Sequence, residues 1–356
     1  MNTLLKKAVR HHLAWPIGAL LALFLLNMIK RPTFLKITIL DGHLYGSLID
    51  ILRNSAPLML VALGMCLVIA TRGIDLSVGA QMAISGAVAL TIIKNVGDER
   101  AHDPMVVILA ILAGIAITTV FGIWNGFLVT VVGIQPIIAT LVLWLAGRGI
   151  ALLITSGFIT TINSTPYASI AKGHQLGLPV EFLIALVVII LIALLVRRTA
   201  LGVLTEAIGI NPDASRLAGV RSRSITWGLY ALSGALAGLA GILYSSNIMA
   251  ADANAAGVNI ELDAILAVVI GGTSLAGGKF SLAGTVVGVY IIQTLVVTVT
   301  FLGVPATAVP VFKAIVVIII VVFQAPMVRK WLRGIFTSGS GDAKVGTPAA
   351  MEGSAA

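Results

Sequence analysis

Charge is the scarcest commodity in this sequence: only 10% of its residues are Asp, Glu, Lys or Arg, against 58% hydrophobic ones. A mean hydropathy of +1.07 lies far above that of chains whose surface faces water, so lipid must solvate much of this one. Cysteine is nearly absent. Cys66 alone excludes a disulfide within the chain and any cysteine-based metal site, and its apolar surroundings make it a small packing residue. The sequence lacks a G-x-x-x-x-G-K-[ST] loop, so it cannot cradle and hydrolyse ATP by that mechanism. It also lacks an H-E-x-x-H helix. His11, His12, His43, His102 and His174 all fall in terminal or connecting segments, which argues against a metal centre, and no nucleophile–base arrangement suggests an enzyme. No cofactor is expected. The net charge of +9 forms no contiguous basic face, which excludes nucleic acid as the partner and leaves the charge as an orientation signal.

What is present is a series of apolar runs of membrane-spanning length. A bilayer core needs about 20 apolar residues per helix. By that measure 13–28, 106–131, 136–155, 179–196, 225–248, 282–301 and 305–323 are spans, the first an uncleaved helix because no small-x-small cleavage site follows it. The run 57–93 is too long for one helix and carries Arg72-Gly73-Ile74-Asp75, so it divides near Thr71 into two. The shorter run 262–273 meets Gly271-Gly272, reading as a half-helix or a completed span, and brings the count to about ten. The expected fold is all-α, a polytopic helical bundle over residues 1–336, with a disordered Gly/Ser/Ala-rich tail over 337–356.

Orientation follows from the loops. The connection 197–224 holds five arginines against two acids, and both termini are basic, so all three are expected in the cytoplasm. The acidic segment 249–263 falls outside; the slightly basic 30–53 is the exception. Ten spans read as two halves of one plus four helices, a plan compatible with inverted repeats. The best local likeness, Ile69–Ser77 with Ile270–Gly278, instead implies a parallel offset, and the two readings stay open. Small residues four apart (Gly122 and Gly126, Gly234 and Gly238, Ala237 and Gly241, Gly284 and Gly288) mark candidate close helix contacts.

Polar groups inside apolar spans are the functional candidates, because each is costly unless it faces a cavity or a partner. Asp75 is either a carboxylate on a translocation path or the partner of Arg72 in an internal ion pair across a helix break. Trp124 and Asn125 are adjacent, an indole and an amide suited to a sugar's ring face and hydroxyls; the alternative is a hydrogen bond between helices. Gln135 precedes Pro136 at a helix start and reads as structural. Asn247 and Asp263 flank the acidic segment, where they meet incoming solute or simply water. In the 197–224 connection, Asn211-Pro212-Asp213 reads as an N-cap with proline at the first helical position. It opens a short amphipathic helix through Leu217 that could dock on a partner.

Several stretches together resemble the permease subunits of the ribose-type family of bacterial sugar ABC importers. They are Leu67-Val-Ile-Ala-Thr-Arg-Gly-Ile-Asp-Leu-Ser-Val-Gly79, Trp124-Asn-Gly-Phe-Leu-Val129, Ile134-Gln-Pro-Ile-Ile-Ala-Thr-Leu141, Gly147-Arg-Gly149, Ala207-Ile-Gly-Ile-Asn211 and Ala264-Ile-Leu-Ala-Val-Val-Ile-Gly-Gly-Thr-Ser-Leu275. The likeness covers about 49–326. Asp41-Gly-His-Leu-Tyr-Gly-Ser-Leu-Ile-Asp-Ile-Leu52 and Ala251-Asp-Ala-Asn-Ala-Ala-Gly257 resemble the galactofuranose-importer branch, and Arg72 departs from the pattern, where a small residue is expected. The resemblance implies a bacterial inner-membrane protein that supplies half of a pore. A second, homologous permease chain, ATP-binding subunits and a periplasmic sugar-binding protein are its implied partners. It further implies that Glu206, Ala207, Gly209, Asn211 and Leu217 belong to the region that couples to the ATPase, so that bulk at Gly209 would uncouple hydrolysis from uptake while sparing the spans. The competing reading is a stand-alone, ion-coupled transporter, for which Asp75 is the one intramembrane candidate.

Overall fold

The computed structural model describes residues 13–40 and 42–324. The basic N-terminal residues, Asp41 and the whole tail from 325 onward, including Arg329, Lys330 and Arg333, lie outside the described residues. Within them the chain is a bundle of helices: α1 (Ala14–Lys30), α2 (Ser47–Asn54), α3 (Ala56–Ala70), α4 (Val78–Asn95), α5 (Asp98–Ala101), α6 (Pro104–Phe127), α7 (Pro136–Ile154), α8 (Thr165–Lys172), α9 (Val180–Arg198), α10 (Leu201–Ile210), α11 (Pro212–Leu217), α12 (Ser222–Ile248), α13 (Ile260–Ile270), α14 (Leu282–Phe301) and α15 (Val309–Gln324).

Six of these are long and apolar enough to cross a membrane, with α6 prolonged by a π turn to Val132. A seventh arises if α2 and α3, bent by 45° at Ser55, count as one span. The other three expected spans correspond to shorter helices, α1 with 17 residues, α13 with 11 and α15 with 16. The bundle is not purely helical. Three two-stranded pairs stitch the connections: Thr38–Leu40 with His43–Tyr45, Thr160–Thr161 with Ala250–Ala251, and His174–Gln175 with Leu178–Pro179. Two of them are hairpins turning at glycines in the left-handed region, Gly42 (φ 77°) and Gly177 (φ 77°), where a side chain would be strained.

Helix starts follow local chemistry. Proline occupies the first turn of α3, α6, α7 and α11, where its missing N–H costs nothing. Asp103 and Ser281 cap α6 and α14 by accepting from Met105 N at 2.9 Å and Gly284 N at 3.0 Å. The core is α3, apolar all round and buried almost throughout, as a helix wrapped by other helices must be. Cys66 sits in it, fully buried, 3.7 Å from Thr273 Oγ1.

Helix α12 packs against α6, α3 and α4. The small-residue pairs lie at helix contacts: a Cβ on Gly122 would strike Tyr230 O, on Gly234 Thr118 O and on Gly241 Met82 O, all at α12, and a Cβ on Gly288 of α14 would strike Ala267 O of α13. Backbone-to-backbone approach of this kind substitutes for the hydrophobic drive that lipid does not provide.

Candidate functional site

The break between α3 and α4, residues 71–77, brings a buried polar cluster into the bundle interior. Asp75 is fully buried and accepts from Ser77 N at 3.1 Å and Ser77 Oγ at 2.5 Å through Oδ1, and from Ser233 Oγ at 3.0 Å through Oδ2. Ser77 Oγ in turn accepts from Gln81 Nε2 at 2.6 Å and from Asn125 Nδ2 at 2.8 Å. Three helices, α4, α6 and α12, thus converge on one carboxylate, and hydroxyls rather than a cation satisfy it.

The expected Arg72–Asp75 ion pair does not form; among the described residues the ion pairs are Arg53–Glu181 and Lys313–Asp263. The pairing assumed helical spacing. Arg72 instead has φ 65°, which ends the helix and turns its side chain away, and its guanidinium donates to Gly209 O and Ile210 O at the end of α10.

Trp124 and Asn125 do not form one contact surface. Consecutive residues on a helix diverge by about 100°. The amide is fully buried on Ser77, whereas the indole is 52% exposed and stacked on Phe127, ring centroids 5.9 Å apart. Gln135 stands at the N-cap of α7, ahead of Pro136. Asn247 lies in the last turn of α12, where it accepts from Arg53 Nη2 at 3.2 Å and donates to Glu181 Oε1 at 3.3 Å. Asp263 is in the first turn of α13 and is held by Lys313 Nζ of α15 at 2.5 Å, so neither residue is a free solute-facing loop group.

The 197–224 connection folds as two short helices. Asn211 caps α11, its Oδ1 accepting from Asp213 N at 3.1 Å and Ala214 N at 3.0 Å. Leu217 is 88% exposed, and Ala214 and Ala218 beside it are exposed too, so an apolar strip faces outward without a partner among the described residues. Glu206 and Arg197 line a cleft of about 520 Å³ between the α9–α10 corner and the start of α14. Ala207 is half-buried.

Gly209 departs from expectation. It is a buried residue inside α10, and a Cβ there would strike Ala70 O and Gly278 N. Bulk at Gly209 would therefore push α10 off the breaks after α3 and α13, and the spans would not be spared. These breaks are the two segments alike in sequence, and they meet directly, Gly278 N donating to Ala70 O at 2.9 Å.

A polar pair in α7 and α13 escaped the sequence reading. Trp144 Nε1 donates to Glu261 Oε1 at 2.9 Å, Glu261 being buried to 3% exposure. One turn on, Arg148 Nη1 donates to Ala253 O at 2.8 Å and Ala256 O at 3.1 Å. The four-residue spacing of Trp144 and Arg148 on one helix was the available signal, but their partners lie more than 100 positions away.

The family described as branched-chain amino acid transport system / permease component matches residues 47–323. The chain is 44% identical to the fructose import permease protein of Bifidobacterium longum over 92% of both chains. It is 45% identical to the galactofuranose transporter permease protein of Escherichia coli over 90% of this chain and 93% of that one. Identity to the ribose import permease protein of Bacillus subtilis is 38%, over 86% of this chain and 92% of that one. No solved structure matches. With a family match across most of its length, and relatives this similar end to end, the chain belongs to the permease-component family of ABC transport systems, as a multi-pass membrane subunit.

Proposed function

We propose that this chain is a permease subunit of a bacterial ABC sugar importer, moving a monosaccharide of the furanose or pentose type. The observation that carries the reading is near-equal, end-to-end similarity to a fructose and a galactofuranose permease, with ribose permeases more distant. Fructose and galactofuranose share a five-membered ring form, which is the chemistry common to the two relatives.

In this reading α1, α13 and α15 cross the membrane together with the longer helices, giving ten spans in the bacterial inner membrane, with both termini and 197–224 in the cytoplasm. The chain supplies half of a path completed by a second permease chain. ATP-binding subunits bind the exposed strip of α11, and a periplasmic binding protein delivers the sugar at the opposite end. Asp75 and Asn125 then act inside the subunit, holding α4, α6 and α12 together as the bundle moves, rather than touching sugar. The test is uptake of labelled fructose, ribose and galactofuranose by vesicles holding the complex purified through this chain. ATP-dependent uptake of one of them is expected; uptake driven by an ion gradient without ATP would overturn the reading.

A further inference from the structure

The connection between α12 and α13 does not stay at the end of the bundle. After Ala250–Ala251 pairs with Thr160–Thr161, the chain turns back along α7. Arg148 holds the carbonyls of Ala253 and Ala256, and Trp144 holds Glu261. Arg148 and Trp144 are the thirteenth and ninth of the 19 residues of α7, so the segment descends beside a membrane-spanning helix and α13 begins near that helix's middle. Gly257, at φ 63°, seats on Gly79 so closely that a Cβ on either would strike the other's backbone.

Residues 252–259 are irregular backbone and turns, not helix. Non-helical backbone at membrane depth survives only when packed in protein or facing water, because hydrocarbon cannot satisfy its polar groups. One side of the segment is packed, with Ala253, Ala256 and Glu261 buried. The other side presents Asn254, Val258, Asn259 and Leu262, all exposed. The neighbouring exposed residues of α7, Leu141, Val142 and Leu145, are by contrast wholly apolar and suit lipid.

We infer that this re-entrant segment is a wall of the hydrated translocation path, and that Asn254 and Asn259 are the amides that meet the hydroxyls of the passing solute. A carboxamide both donates and accepts, as a hydroxyl-rich solute requires, and Val258 between the two offers an apolar surface to a ring's C–H face. The hydroxyl contact rests on the sugar-import reading; the hydrated wall does not.

The protein's one cysteine is buried, so single-cysteine probes need no altered background. Asn254→Cys and Val258→Cys would be treated, in the assembled complex in membranes, with the charged reagent trimethylammonium-ethyl methanethiosulfonate. Leu145→Cys, 74% exposed on the apolar face of α7, is the control. Because the thiolate is the reacting form and needs water, the two path positions should label at least about tenfold faster than the control. Labelling no faster than the control, or protection from both this reagent and N-ethylmaleimide, would place the segment against lipid or the second chain and overturn the inference. Asn254→Ala should lower sugar uptake several-fold at unchanged complex yield; unchanged uptake would remove the solute contact. Fast labelling in a complex that transports none of the three sugars would keep the hydrated wall and sink the sugar reading instead.

Discussion

Arg72 Nε donates to the carbonyl oxygen of Gly209 at 2.6 Å, across 137 positions of sequence. The bond ties the break after α3, which runs from the exposed Arg72 to the buried Asp75, to the C-terminal end of α10, which leads straight into α11.

That contact makes Gly209 an assembly residue. Gly209→Ala would put a methyl group into Ala70 O and Gly278 N, both backbone atoms that cannot swing aside. Overpacking of this kind costs about 1–3 kcal/mol. We expect a lower melting temperature and a reduced yield of folded chain, measured by fluorescence-detected size exclusion after heating; unchanged thermal stability would show that α10 sits looser than described.

Leu217 should behave in the opposite way. At 88% exposure it contributes little to the fold, so Leu217→Ser is expected to leave yield and melting unchanged. Full burial of a leucine in a partner is worth about 1.5–3 kcal/mol, which corresponds to roughly ten- to a hundredfold in affinity. Retention of the ATP-binding subunit through purification is the measurement, and full retention would move the docking strip off α11.

Asn125→Leu removes an amide from a fully buried site and leaves Ser77 Oγ with one donor fewer. The expected cost is about 1–3 kcal/mol of stability, read as a lower melting temperature of the chain. Loss of transport with no loss of stability would instead return Asn125 to the translocation path.

His174 carries a pH dependence at the opposite end of the bundle from α11. Its ring stacks on His43 with centroids 4.5 Å apart, and partial burial holds its pKa below the ordinary histidine value, helped by the charge of His43 and of Arg53. A lowered folded-state pKa means that the docked form resists a proton the free form takes up, so docking of the two hairpins weakens as pH falls below about 6.5. The amide of Leu44, bonded to Gly177 O at 2.9 Å, should exchange hydrogen faster at pH 5.5 than at pH 7.5 after correction for intrinsic rates. Equal protection at the two values would remove the effect.

The sequence by itself determined that the protein lives in a membrane and roughly where its helices lie, because lipid demands long apolar runs and those are legible locally. Residues that act through their own neighbours were legible too: Asn211 caps α11, and the paired glycines mark helix contacts, since an N-cap and a four-residue spacing are short-range rules. Only the tertiary structure decided what each polar side chain meets. Arg72 bonds to Gly209 and Ile210 rather than Asp75 because one left-handed residue breaks the helical spacing on which the pairing was argued. Trp124 and Asn125 part company across a helix, whereas Trp144 finds Glu261 from 117 positions away. Such partners are set by how helices cross, and a crossing depends on contacts between distant segments that no local pattern encodes.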